Sequence, residues 1–146
     1  MVSEPSFDEA QRAAAAQLPE LLNATRGATD RDANKAFWAA YFQLPAWITI
    51  ARGTTDAPAP FVVVAGETPT LLVFSSAEAA RTVGIAAGLP EDEASRLLAV
   101  PMPAAVDWVT SLAAHGIRAV QFEAQLGGGI VAPIENLSRM RADLLG

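Results

Sequence analysis

The chain has 146 residues, no cysteine and a formal net charge of -6. That length suits one domain able to bury a sizeable core without a covalent staple, and the missing thiols exclude disulfides, thiolate metal sites and a cysteine nucleophile. Ten bases face sixteen acids, and the arginines are scattered from Arg12 to Arg141, so no basic stripe awaits a phosphate backbone and nucleic acid is not expected as a partner.

The opening MVSEPSFDEA is acidic and lacks the basic and apolar regions of an export signal. No apolar run approaches the roughly 20 residues of a membrane span, so a cytoplasmic protein that does not enter membranes is expected. Ser6 and Glu9 have capping-box spacing, and the alanine-rich stretch after them predicts a helix to about Leu18, where Pro19 ends or kinks it. Residues 23–29 read as a loop. A second helix is expected from Thr29 or Asp30, because Ala33, Ala36, Phe37, Ala40, Tyr41 and Leu44 recur at helical spacing before Pro45.

The period then changes. WITIA (47–51), FVVVA (61–65) and TLLVF (70–74) are short and rich in β-branched residues, which predicts three strands. ARGTTDAPAP forms a loop after the first, and GETP is short enough for a hairpin between the second and third. Ser75 or Ser76 opens a helix through about Val83, with Glu78 in its first turn and Gly84 beyond its end. LPEDEASRLL gives a loop and a short acidic helix before AVPM, a strand limited by Pro101 and Pro103. Val106, Val109, Leu112 and Ala113 form a helical stripe that His115-Gly116 terminates. IRAVQFEAQ (117–125) and GIVA (129–132) are strands around a glycine tract, and Pro133 leads into a last helix bearing Ile134, Leu137 and Leu144. The sum is a single α+β domain over residues 1–146, with a helical arm at 1–29 and a central, mostly antiparallel sheet flanked by helices.

Gly127, Gly128 and Gly129 match neither a dinucleotide fingerprint nor a P-loop, and no lysine or hydroxyl follows them, so a turn with positive φ at Gly128 is expected rather than a phosphate cradle. Ser75-Ser76 lies between strand and helix but lacks the G-x-S-x-G elbow, and helix capping accounts for both serines and Glu78. Glu91, Asp92 and Glu93 suit the dipole of a helix first turn and lack the spacing of a calcium loop, so no metal and no cofactor are expected. His115, the single histidine, suits a helix C-terminus. Strand alternation puts Val120 and Phe122 on one face, with Gln121, Glu123 and Gln125 on a solvated other face.

Five aromatic residues, Phe37, Trp38, Tyr41, Phe42 and Trp47, fall within eleven positions. Phe37 and Tyr41 form one helical stripe and Trp38 and Phe42 an adjacent one. Such a helix is either wedged deeply in the fold or offers its second stripe to a partner. In the partner reading Trp38, Phe42 and Trp47 are the interaction surface, Trp38 and Phe42 being the more exposed pair.

LLVFSSAEAA, then the apolar helix DWVTSLAAHGI, then a strand, a glycine turn and the helix PIENLSRMRADLL, resemble the N-terminal domain of the bacterial SseB (enhanced serine sensitivity) family from about Phe61 to Leu145. AFWAAYFQLPAWITIA loosely echoes the segment before it, so that residues 30–146 correspond to an SseB-like core. The resemblance implies a small, cytosolic bacterial α+β module without established enzymatic activity, and it carries over no catalytic residue. Two function classes follow: a non-catalytic protein-interaction module, self-associating as a homodimer or binding another protein, and a small-molecule sensor or small enzyme whose site is assembled near His115, Arg118 and Glu123.

Overall fold

The computed structural model describes residues 3–26, 31–53 and 58–145. Helices α1 (Ser3–Ala16), α2 (Leu18–Arg26) and α3 (Arg31–Phe42) precede strands β1 (Ala46–Gly53), β2 (Pro58–Pro60), β3 (Val62–Ala65) and β4 (Thr68–Val73). Next come α4 (Ala77–Ala86), α5 (Glu91–Ala94), β5 (Leu97–Pro101), α6 (Ala104–Ser111), β6 (Ala119–Phe122), β7 (Ile130–Pro133) and α7 (Leu137–Leu145), with 3-10 turns at Leu112–His115 and Ile134–Asn136.

The strands make a four-stranded sheet of order β3-β4-β6-β7 and a three-stranded one of order β2-β1-β5. The two join where Ile48 and Phe74 exchange backbone hydrogen bonds of 2.9 and 2.8 Å. Every paired neighbour is antiparallel except β4 and β6. The expected α+β domain with a mostly antiparallel sheet flanked by helices is therefore the fold. Gly66 and Glu67 form the expected hairpin turn between β3 and β4, with Ala65 opposite Thr68.

Several boundaries differ from the expectation, and residues 52–53 and 58–60, expected within a loop, are the end of β1 and the whole of β2. The chain at 23–26 is helical, because Pro19 lies in the first turn of α2, where its missing N–H costs nothing; α1 breaks at Gln17 instead. Helix α1 starts at Ser3, ahead of the expected Ser6 cap, whose side chain lies outside the described residues. So do the cap at Thr29 or Asp30 and the middle of the ARGTTDAPAP loop. Gly84 does not follow α4 but lies buried inside it, with Ile50 Cδ1 2.8 Å from where a Cβ would stand. Glycine there lets the helix approach β1.

One face of the four-stranded sheet, with Leu71, Val73, Val120, Phe122 and Ala132, packs beneath α2, α3, α6 and α7. The other face contributes Leu72 and Phe74 to a smaller cluster with Ile48 and Ile50 of β1 and Ala79 and Ala80 of α4. Helix α3 is wedged into the larger cluster. Phe122 receives Trp38, Tyr41 and Trp47 edge-on at ring-centroid distances of 5.1, 5.0 and 5.2 Å, while Trp38 stacks on Phe42 at 5.8 Å.

The expected exposure of the second aromatic stripe is thus corrected: Trp38 is 5 %, Phe42 2 % and Trp47 1 % exposed. Both stripes are buried because α2 and α7 flank α3 while the sheet lies beneath it. Trp38→Ala should therefore destabilise the domain by about 3–5 kcal/mol, as much as Phe37→Ala, the range for emptying a core aromatic site. Denaturant unfolding of the two variants checks this; a Trp38→Ala midpoint close to wild type would return Trp38 to the surface.

Candidate functional site

The one parallel strand pair sets the site. Because β4 and β6 run the same way, their carboxyl ends lie side by side, and the residues that follow them, Ser75-Ser76 and Glu123, meet at one edge of the sheet. A cleft of about 610 Å³ opens there. Gln11, Arg12, Ala15 and Ala16 of α1 form one wall, Ile48 and Ala99 form the other, and Ser76 and Glu78 lie at the start of α4.

Glu123 is the centre of the floor. Strand β6 ends at Phe122, and Glu123 takes φ 56°, the single positive-φ non-glycine among the described residues. That left-handed turn swings its side chain off the strand alternation and inward. The expectation of a solvated Glu123 is overturned: it is 2 % exposed. Its Oε2 accepts from the Ser75 backbone N–H at 2.7 Å and the Tyr41 hydroxyl at 2.9 Å. Its Oε1 accepts from Ser75 Oγ at 2.6 Å and Gln125 Nε2 at 3.2 Å.

Four donors on two oxygens account for the burial of a carboxyl group. Burial first, and then the adjacent Glu123 carboxylate, push the Tyr41 phenol well above its usual range, so that Tyr41 stays the donor of the pair. The network spans α3, β4, β6 and the loop after β6, and it ties the aromatic core to the cleft.

The two serines divide their work, which corrects the reading that capping explains both. Ser76 is the N-cap of α4 and accepts from Ala79 N at 3.1 Å. Ser75, 3 % exposed, gives both its hydroxyl proton and its N–H to Glu123.

Gln11 completes the floor from the α1 side. Its Nε2 donates to Ala46 O at 3.0 Å and Ser75 O at 2.9 Å, and its Oε1 accepts from Ala46 N at 3.0 Å.

Of the residues expected to converge, only Glu123 is here. Arg118 precedes β6 and Glu123 follows it, so about 16 Å of strand separates them. Arg118 and His115 are exposed at the far end, His115 closing a 3-10 turn that Gly116 caps at φ 91°. His115 thus holds the expected helix-terminal place.

The glycine tract turns between antiparallel β6 and β7. The Gly128 and Gly129 N–H groups are used inside the turn, on Ala124 O and Leu126 O. Its carbonyls face a cation: Arg26, at the end of α2, donates to Leu126 O and, at 3.4 Å, to Gly129 O. That is the opposite polarity to a phosphate cradle. Glu91 and Glu93 of α5 form ion pairs at the surface, with Arg81 at 2.6 Å and Arg52 at 3.2 Å respectively.

Sequence reasoning missed Gln11, Gln125 and the polar role of Tyr41. Tyrosine was the one available signal, since a Tyr in an inward stripe requires a buried partner for its hydroxyl. Nothing marks Gln11 within an alanine-rich helix. No family model, curated protein or solved structure matches the chain.

Proposed function

We propose that the chain is a non-catalytic binding module that receives a small amphipathic ligand in the cleft between α1 and the carboxyl ends of β4 and β6. One observation carries the reading: the carboxylate and the serine at the floor of a ligand-sized cleft are already fully engaged with each other and with their neighbours. Glu123 is saturated by four donors and Ser75 by its bonds to Glu123. A catalytic base needs a free lone pair, and a nucleophilic serine needs exposure and open oxyanion donors. Glu123 and Ser75 have neither, but a floor they hold fixed, with an acceptor left open on Gln125 Oε1 and apolar walls from Ala15, Ile48 and Ala99, suits binding.

The reading keeps the sensor hypothesis and moves its site from Arg118 and His115 to Glu123, Ser76 and Gln125. It also keeps SseB-like kinship for the segment from Phe61 to Leu145, supported by the order of β4, the serine pair, α4, α6, β6, the glycine turn, β7 and α7. A self-association role for Trp38, Phe42 and Trp47 loses its support with their burial.

Amide NMR with a library of small polar-apolar fragments tests the proposal. Shifts should concentrate at Ser75, Ser76 and Gln125. Ala99→Trp, which fills the cleft from an exposed position on β5, should abolish them without lowering the melting temperature. A saturating fragment should raise stability by about 2.7 kcal/mol at 100 times its dissociation constant. If no fragment shifts these amides, or if Ala99→Trp leaves the shifts in place, the cleft is not a ligand site.

A further inference from the structure

Among the described side chains of helix α1, one polar group reaches into the body, beside the packing of Ala14 and Ala15 on the core. Of its described side chains, from Glu9 to Ala16, Gln11 is the buried one, while Ala14 and Ala15 lie half-buried. Gln11 bonds to backbone: its Nε2 donates to Ala46 O and Ser75 O, and its Oε1 accepts from Ala46 N.

The place it fills is that of a missing strand. On this edge of β1, Ile48 exchanges its N–H and C=O with Phe74. In an antiparallel strand the residue two positions back, Ala46, directs its N–H and C=O to the same side. By that point β4 has ended and the chain is turning through Ser75 and Ser76 into α4. The Gln11 amide stands in for the absent backbone.

The polarity of the place selects a ligand class. Ala46 offers one donor and one acceptor, and Ser75 O a second acceptor, all met by one planar group. A secondary amide has one N–H, and a carboxylate or ester has none. Of amides, carboxylates and esters, the primary carboxamide is the one that brings two N–H groups and one carbonyl oxygen on the same carbon.

We infer that this corner of the cleft is a primary-carboxamide subsite, which Gln11 fills from within the chain until a ligand bearing a –CONH2 group displaces it together with α1. The inference rests on the cleft being a ligand site and names the chemistry of its ligand. A helix whose described side chains, from Glu9 onward, bury one anchor is the kind of element that opens at low free energy, so displacement need not disturb the core beneath α3.

The test removes Gln11 and supplies its amide in solution. Gln11→Ala deletes a –CH2–CONH2 group, for which acetamide is the matching probe. In this variant hydrogen exchange at the Ala46 amide should rise at least about tenfold over wild type, while exchange at Ile48 and Phe74, whose bonds do not involve Gln11, stays unchanged. Acetamide in the molar range should restore protection at Ala46. N,N-dimethylacetamide, with the same carbonyl and no N–H, should not.

Should Gln11→Ala melt the body as a whole, Gln11→Glu keeps the side-chain length and presents oxygens to the carbonyls of Ala46 and Ser75. It should expose Ala46 and respond to acetamide in the same way. Equal action of the two amides, or no restoration by acetamide in either variant, overturns the subsite. Fragment shifts at Ser76 that Ala99→Trp abolishes, together with a failed acetamide rescue, would remove the carboxamide assignment and leave the binding cleft standing.

Discussion

Replacing Glu123 by alanine is expected to lower stability by about 3–5 kcal/mol, since it strands the Ser75 N–H, the Ser75 hydroxyl and the Tyr41 hydroxyl in a buried place at about 1–3 kcal/mol each, relieved in part by water from the cleft. Glu123→Gln should cost far less, about 1–2 kcal/mol. The Ser75 N–H is a fixed donor on Oε2, so the new amide oxygen must take that position, where it also accepts from Tyr41. The new NH2 then replaces Oε1, facing Ser75 Oγ, which can rotate to accept, and Gln125. Gln125 can turn its amide so that its buried Oε1, which has no partner in the present arrangement, accepts from that NH2.

Glu123→Gly separates the backbone contribution. At φ 56° a glycine is unstrained whereas alanine is not, so the glycine variant should exceed the alanine variant by about 1 kcal/mol. Urea unfolding of the three variants measures the order Gln above Gly above Ala. An alanine variant within about 1 kcal/mol of wild type would mean that the four bonds are not holding the cleft floor together.

The contrast between Phe122 and Glu123 shows what the sequence could disclose and what it could not. Periodicity is local, and it located nearly every element: the 3.6-residue recurrence in α3, the β-branched runs of β1, β3 and β4, and the Pro133 entry to α7 all reflect interactions within a few residues. The class of fold follows from those elements. Alternation through VQFEAQ correctly places Phe122 inward and then fails at the next residue, because β6 ends there and a left-handed turn reverses the side chain.

The reason for that turn is non-local: Glu123 is drawn in by Ser75 and Tyr41, 48 and 82 positions away in the chain. Gln11, reaching residues 35 and 64 positions distant, is equally invisible to any window on the sequence. The serine pair shows the intermediate case. Capping chemistry identifies one serine of the pair correctly and assigns the same role to its neighbour, whose partner comes from another strand. Trp38 and Phe42 fail differently: spacing shows two apolar stripes but not that α2 and α7 both flank the helix carrying them.

Gly129→Ala is expected to be the most damaging alanine substitution among the described glycines, costing more than about 4 kcal/mol. A Cβ at Gly129 would stand 1.9 Å from Phe122 O and 2.6 Å from Glu123 O, and both are backbone atoms that no rotamer change can move. The position also has φ 65°, so the strain of a left-handed alanine adds to the clash. Relief requires shifting the turn away from β6. That shift breaks the register in which Phe122 faces Ile130 and drags Glu123 from its four donors, so the damage passes from the turn to the cleft.

Gly128→Ala is the control. It has φ 94° and nothing within 4 Å of the added carbon, and it should cost only about 1–2 kcal/mol. Gly127 is the intermediate case, its nearest neighbour being the guanidinium of Arg26 at 2.9 Å, the end of a flexible side chain that can give way. The glycine tract therefore has one residue required by close approach and two by conformation. Thermal melts of the three alanine variants should rank Gly129 lowest by a wide margin. Equal losses at Gly128 and Gly129 would show that positive φ alone sets the requirement and that the turn does not press on the carbonyls of Phe122 and Glu123.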